Sequence, residues 1–164
     1  MKKLFLSLIF FSVICLNGGA TELKGEISYT VDSARTYLQE GEPSGVNIPS
    51  QRYSFSAENT QRVVYSHNNS GDVIGITVQY INENSKAYIY NGKGKLIYVD
   101  IYDKPVYIYP HRGYRYDTQG NLNLTSLSVS KNELFRFSPD GKLIAHSVNG
   151  IIYDENGSVI GRGK

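Results

Sequence analysis

Tyr88-Ile-Tyr-Asn-Gly-Lys-Gly94-Lys-Leu-Ile-Tyr-Val-Asp-Ile-Tyr102 carries the decisive pattern. Two apolar runs rich in β-branched and aromatic residues flank a polar Asn-Gly-Lys-Gly tip, which is the composition of a hairpin and not of a helix. In the second run Ile97, Val99 and Ile101 fall on one side of an extended chain, and Tyr98, Asp100 and Tyr102 on the other, because successive side chains of a strand alternate. The same period of two runs through Ile74, Ile76, Val78 and Tyr80 against Gly75, Thr77 and Gln79.

Outward from this stretch the tip recurs. Tyr90 to Leu96, Tyr116 to Leu122, Phe137 to Leu143 and Tyr153 to Val159 each run from an aromatic through a polar stretch to a glycine and then an aliphatic; Tyr65, Gly71 and Val73 form a looser fifth copy. The glycine supplies the positive φ of a short hairpin loop, and the aromatic and aliphatic pair across it. Glycines 71, 94, 120, 141 and 157 are spaced by 23, 26, 21 and 16 residues, so the units are irregular in length. Between them lie turns of a second kind, Asp103-Lys104-Pro105, Lys131-Asn132 and Asn149-Gly150. Alternation of the two turn types sends the chain up and down.

Fourteen tyrosines, six phenylalanines and sixteen glycines suit pleated strands and tight turns. The expected fold is all-β: an antiparallel meander of β-hairpins, as a single twisted sheet, an open barrel or two layers, with one short N-terminal helix. That helix is predicted from Val31 to Glu40, where Val31, Ala34, Tyr37 and Leu38 have helical spacing, Thr30 can cap the start, and Gly41 and Pro43 end it. A strand over Glu26 to Tyr29 precedes it, and a loop over Gly41 to Ser50 follows.

The Tyr-Asp-x-x-Gly-x-aliphatic turns resemble the YD repeats of large secreted bacterial shells, and the hairpin unit of roughly twenty residues is similar to the MORN-variant repeats of small bacterial proteins. The resemblance covers about Lys86 to Ile160. It implies a bacterial β-hairpin repeat protein, allows an inhibitor or immunity-type role, and brings no catalytic residue with it.

Lys2 and Lys3, the apolar run from Leu4 to Leu16, and the small residues before Thr21 predict a secretory signal peptide at residues 1–20. Residues 21–164 are then a single domain, exported to the periplasm or the exterior. The apolar run is shorter than the ~20 residues of a membrane span, so no integral segment is expected after cleavage. Cys15, the only cysteine, lies inside the signal, so the exported chain has no disulfide, which fits a bacterial source better than a eukaryotic mini-domain. Removal of Lys2 and Lys3 takes 17 basic and 15 acidic side chains to 15 and 15. This balance excludes the basic surplus of a nucleic-acid binder.

Motifs for a serine hydrolase elbow, a zinc protease and a phosphate-binding loop are absent from the sequence. His67, His111 and His146 lack ligand spacing, with His67 and His111 expected in loops and His146 in a strand, so no metal and no cofactor is expected. Asp154-Glu-Asn-Gly157 holds a fragment of a calcium loop, but an Asp side chain that bonds its own loop backbone explains it better. A secreted glycan hydrolase using two scattered carboxylates is the enzymatic alternative; no catalytic residue is assigned.

One surface stands out. Tyr98 alternates with Val99, Tyr107 and Tyr109 with Val106 and Ile108, and Tyr88 and Tyr90 with Ile89. In a regular meander Tyr88, Tyr90, Tyr98, Tyr107 and Tyr109 form a ladder on one face. The rings either stack to stiffen the sheet or bind a protein or glycan ligand. The favoured function is a non-enzymatic binding or structural module.

Overall fold

The computed structural model describes residues 29–162 apart from 42–45, 47, 49–51, 57, 59 and 69. The expected signal peptide at residues 1–20, the expected strand at Glu26 to Tyr29 and the expected loop at Gly41 to Ser50 fall wholly or largely outside those residues. After α1 (Val31–Gln39) come β1 (Thr60–His67), β2 (Val73–Tyr80), β3 (Lys86–Asn91), β4 (Leu96–Tyr102), β5 (His111–Asp117), β6 (Leu122–Ser130), β7 (Glu133–Phe137), β8 (Leu143–Val148), β9 (Ile151–Tyr153) and β10 (Val159–Arg162). They form one ten-stranded antiparallel sheet whose spatial order is the chain order. This is the all-β meander expected, in its single-sheet form.

Local chemistry explains the regularity at one end of the sheet. The loops Asn68–Asp72, Asn91–Lys95, Asp117–Asn121, Ser138–Lys142 and Asp154–Ser158 share one plan. The carbonyl of the first residue accepts from the glycine N–H three positions on, and its own N–H donates to the carbonyl of the fifth. In the four Asx loops the side-chain Oδ1 accepts from the backbone N–H groups of the third and fifth residues. Ser138 Oγ accepts from the Lys142 N–H instead. The fourth residue is glycine, at φ between 76° and 86° in all five loops, a region that a Cβ disfavours.

Three residues after each glycine, one residue has no partner on the neighbouring strand: Ile74, Ile97, Asn123, Ile144 and Ile160. Each is a β-bulge, which bends and twists its strand. The bulges leave Ile74, Ile144 and Ile160 exposed and take Ile97 out of the alternation that would join it to Val99.

The other end of the sheet is irregular, with connections at 81–85, 103–110, 131–132 and 149–150. Lys131-Asn132 and Asn149-Gly150 are the expected two-residue turns, and Asn149 and Gly150 both have positive φ, as a type I′ hairpin requires. The segment Val106 to Tyr109 is not the strand that its alternation suggests. Pro105 and Pro110 bracket it and cannot donate to a ladder, and a turn closes when the Ile108 N–H bonds the Pro105 carbonyl at 2.9 Å.

Strand alternation sorts the sheet into a packed face and a polar face. On the packed face Ile76, Val78, Tyr80, Tyr88, Tyr90, Leu96 and Val99 make one buried cluster. The Tyr80 and Tyr90 hydroxyls satisfy each other at 2.9 Å. Phe55 meets Tyr90 edge-on at 5.8 Å, and the Arg52 guanidinium lies 3.8 Å from the Tyr80 ring centre. Leu127, Phe135, Phe137 and Leu143 make a second cluster, closed by Ala34 and Leu38 of α1. Thr30 and Ser33 form a reciprocal capping box at the start of α1. Arg112 fastens its far end: it lies over the Tyr37 ring at 3.9 Å, its Nε donates to the Tyr37 carbonyl, and it pairs with Asp103 at 3.2 Å.

Candidate functional site: a groove across the polar face

The alternation that buries Tyr88, Tyr90, Phe135 and Phe137 sends a different set of side chains to the opposite face. Cross-strand neighbours share a face, so register identifies them: Ala87 with Asp100, Asp100 with Arg115, Gly113 with Ser126, His111 with Ser128, and Ser126 with Arg136. A groove of about 500 Å3 lies over these residues, lined from Arg62 and Val64 of β1 across to Ser147 of β8. Its wall residues at the irregular end include Val106, Tyr109, Ser130, Lys131, Asn132 and Gly150. The groove therefore joins the paired strands to the connections that vary in length.

Asp100 and Arg115 anchor the floor. Arg115 Nε and Nη2 donate to the two carboxylate oxygens of Asp100 at 2.7 and 2.8 Å, a bidentate pair that holds both planes fixed. This bonding raises the Arg115 pKa further. The Tyr98 ring lies 5.5 Å from the Arg115 guanidinium, and the Tyr102 hydroxyl donates to Asp100 Oδ2 at 3.4 Å. Burial, and then the nearby Asp100 charge, push the Tyr102 pKa well above its ordinary value, so the phenol stays protonated.

Gly113 shapes the floor beside this pair. A Cβ there would come 2.5 Å from Ser126 Oγ and 3.0 Å from the Tyr102 ring. Glycine thus lets the ring cover the strand, the packing in which an aromatic fills the place of a missing side chain. Next to it His111 is buried, with Tyr102 edge-on and Tyr109 stacked on it, each at 5.3 Å. Its Nδ1 lies 3.0 Å from the Ile108 carbonyl. Burial depresses the His111 pKa, which keeps the ring neutral at neutral pH.

Arg136, two strands from Arg115, differs from it. Its guanidinium forms no ion pair or hydrogen bond among the described residues; its charged neighbours are Arg115 and Asp100. It remains solvent-accessible, yet the surrounding protein strips enough water from it to lower its pKa, and repulsion from Arg115 adds to that effect.

The five tyrosines expected as a ladder do not share a face. Tyr88 and Tyr90 are 1% and 0% exposed in the packed core. Tyr98 pairs with Ile89 and points to the polar face, while Tyr107 and Tyr109, 64% and 40% exposed, sit in the connection between β4 and β5. The register of the β3–β4 hairpin causes the split: the five-residue loop sets Tyr88 opposite Val99 and Tyr90 opposite Leu96, and a register shift of one residue exchanges faces. Of the five, Tyr109 lines the groove.

His67 ends β1 and His111 begins β5, in place of the loops expected for both. His146 lies in β8 as expected, 3.9 Å from the Phe135 ring centre and bonded to Glu133 at 2.9 Å. Among the described residues no group of three or more His, Cys, Asp or Glu could hold a metal ion, and no helix is long and apolar enough to cross a membrane. Asp154 bonds its own loop backbone, as read from the sequence.

The groove residues Tyr102, Arg115, Ser126, Ser128 and Arg136 are absent from the sequence-based candidates, and His111 enters there only as a histidine without ligand spacing. One signal was available: in Thr125-Ser-Leu-Ser-Val-Ser130 the serines alternate with apolar residues, which marks a strand with a hydroxyl-lined face. The chain matches no protein-family model, no curated protein and no solved structure.

Proposed function

We propose that the protein is an exported, non-enzymatic binding module that holds its ligand in the groove of the polar face. The observation that supports this most is the contrast between the groove and the rest of the sheet: its floor is a rigid array of paired strands, and its mouth is built from the irregular connections. A volume of about 500 Å3 lies within the ~300 to 1,000 Å3 of ligand sites. Against hydrolysis, the two carboxylates lining the groove are both engaged, Asp100 by Arg115 and Glu133 by His146, whereas a glycosidase needs one carboxyl free to donate a proton. The five equivalent glycine loops support kinship with YD-repeat or MORN-variant hairpin repeats.

The test is an array of immobilised glycans and peptides, probed with the mature chain and with Ser128→Trp, which fills the groove from its floor. Binding lost in the variant, with the β-sheet circular dichroism kept and the ligand recovered intact, is the expected result. Binding indifferent to the substitution places the ligand elsewhere, and a cleaved ligand makes the protein an enzyme. Mass spectrometry of the exported protein should find Thr21 at the mature N-terminus.

A further inference from the structure

We propose that the groove takes an acidic glycan, with a uronate carboxylate or a sulfate group held by Arg136 beside the Ser126 and Ser128 hydroxyls and a sugar ring laid against Tyr109. The inference rests on the groove being the ligand site and adds the chemistry of what enters it.

The charge is local. The mature chain is balanced, yet the groove is lined by Arg62, Arg115, Lys131 and Arg136 against Asp100 and Glu133. Asp100 answers Arg115, and Glu133 is bonded to His146. Arg136 is left with an open guanidinium fork, and Ser126 stands directly opposite it across the β6–β7 pair. A guanidinium flanked by hydroxyls matches the planar or tetrahedral oxygens of a carboxylate or sulfate. Arg115, fixed and neutralised by Asp100, is not free to follow the ligand.

The shape favours a sugar over a peptide. The strands from β2 to β8 each have a hydrogen-bonded neighbour on both sides, and β1, which brings Arg62 and Val64 to the rim, is an edge of the sheet, so the backbone beneath Arg136, Ser126 and Ser128 has no row of free donors and acceptors to pair with an extended peptide. Recognition there falls to side chains. Tyr109, stacked on His111, which Tyr102 in turn meets edge-on, gives a flat apolar surface in a groove also lined by Ser126, Ser128 and Ser130, which suits a molecule with an apolar ring face and a polar rim.

The experiment is isothermal titration of the mature protein with an oligogalacturonate, a sulfated oligosaccharide, a neutral oligosaccharide of equal length, poly-glutamate and inorganic sulfate. The expected result is binding of an acidic sugar, weakened about tenfold or more by Arg136→Gln and again by Tyr109→Ala, restored in part by Arg136→Lys, and reduced by salt. Near-UV circular dichroism unchanged in these variants separates lost contact from lost fold. A neutral sugar bound as tightly, and unaffected by Arg136→Gln but lost in Ser128→Trp, would overturn the anion subsite while the groove reading stands. Poly-glutamate or sulfate alone binding as well as the acidic sugar would overturn the glycan. No acidic sugar bound at all overturns the proposal, and acidic-sugar binding unmoved by all four substitutions overturns the groove reading as well.

Discussion

The two ends of the sheet are built from the same strands and follow opposite rules. At one end five loops repeat a single hydrogen-bond plan, each with a polar first residue and a glycine fourth. At the other end the connections range from the two residues at 131–132 to the eight at 103–110, and they carry Tyr107 and Tyr109. The difference shows where sequence is constrained by geometry and where it is available for recognition. A loop that must place glycine at positive φ, and at Tyr90, Tyr116 and Phe137 also an aromatic in the core, has little sequence freedom left. A connection that need only close can differ each time.

The largest effect that would sharpen this contrast comes from an aromatic at the stem of a regular loop. Phe137 is 1% exposed and packs with Phe135, so Phe137→Ala is expected to cost about 3 to 5 kcal/mol of stability, read as a lower urea midpoint. Tyr107→Ala, at the irregular end, is expected to stay within about 0.5 kcal/mol. Equal losses at both sites would break the comparison.

A smaller effect isolates backbone strain. Nothing lies within 4 Å of a Cβ built on Gly157, so Gly157→Val meets no neighbour and suffers only from its φ of 77°. The expected loss is about 1 kcal/mol. At Gly120 a Cβ would also approach the Val46 carbonyl at 3.2 Å, and Gly120→Val should lose more than Gly157→Val. Denaturation midpoints of the two variants test the order.

The two ends should also titrate in different windows. Bonds from Asn121, first from its side chain and then from its backbone, lower the Asp117 pKa below 3.8. The carboxylate then adds stability that is present above that value and lost as the pH falls through its depressed folded pKa. Burial lowers the His111 pKa below 6.5; the unfolded chain binds this proton more readily, so stability declines as the pH drops from 6.5 toward the folded value. Thermal melts across pH should lose the milder decline in His111→Gln and the more acidic one in Asp117→Asn. A decline near 6.5 that survives His111→Gln would assign it to another group.

The regular end was legible in the sequence, and the polar face much less so. The glycine loops, the Asn149-Gly150 turn and the helix start at Val31 rest on neighbouring residues, and local chemistry suffices to find them. The groove depends on register: Ser126 meets Arg136, and Asp100 meets Arg115, only after each hairpin is closed. The tyrosine ladder failed for the same reason, because period-two counting runs straight through Ile97 and cannot see that a bulge there resets the phase. Tyr107 and Tyr109 misled differently, since their alternation is real but two prolines prevent the strand.

The five bulges act as a metering device. Each hairpin brings the same loop and one unpaired residue three positions after its glycine, so each places a bulge at the same point of a sheet in which every strand pairs only with its sequence neighbours. The width of the sheet is thereby set by counting. A chain that gained or lost one hairpin would carry a wider or narrower sheet, with the remaining strand pairs unchanged.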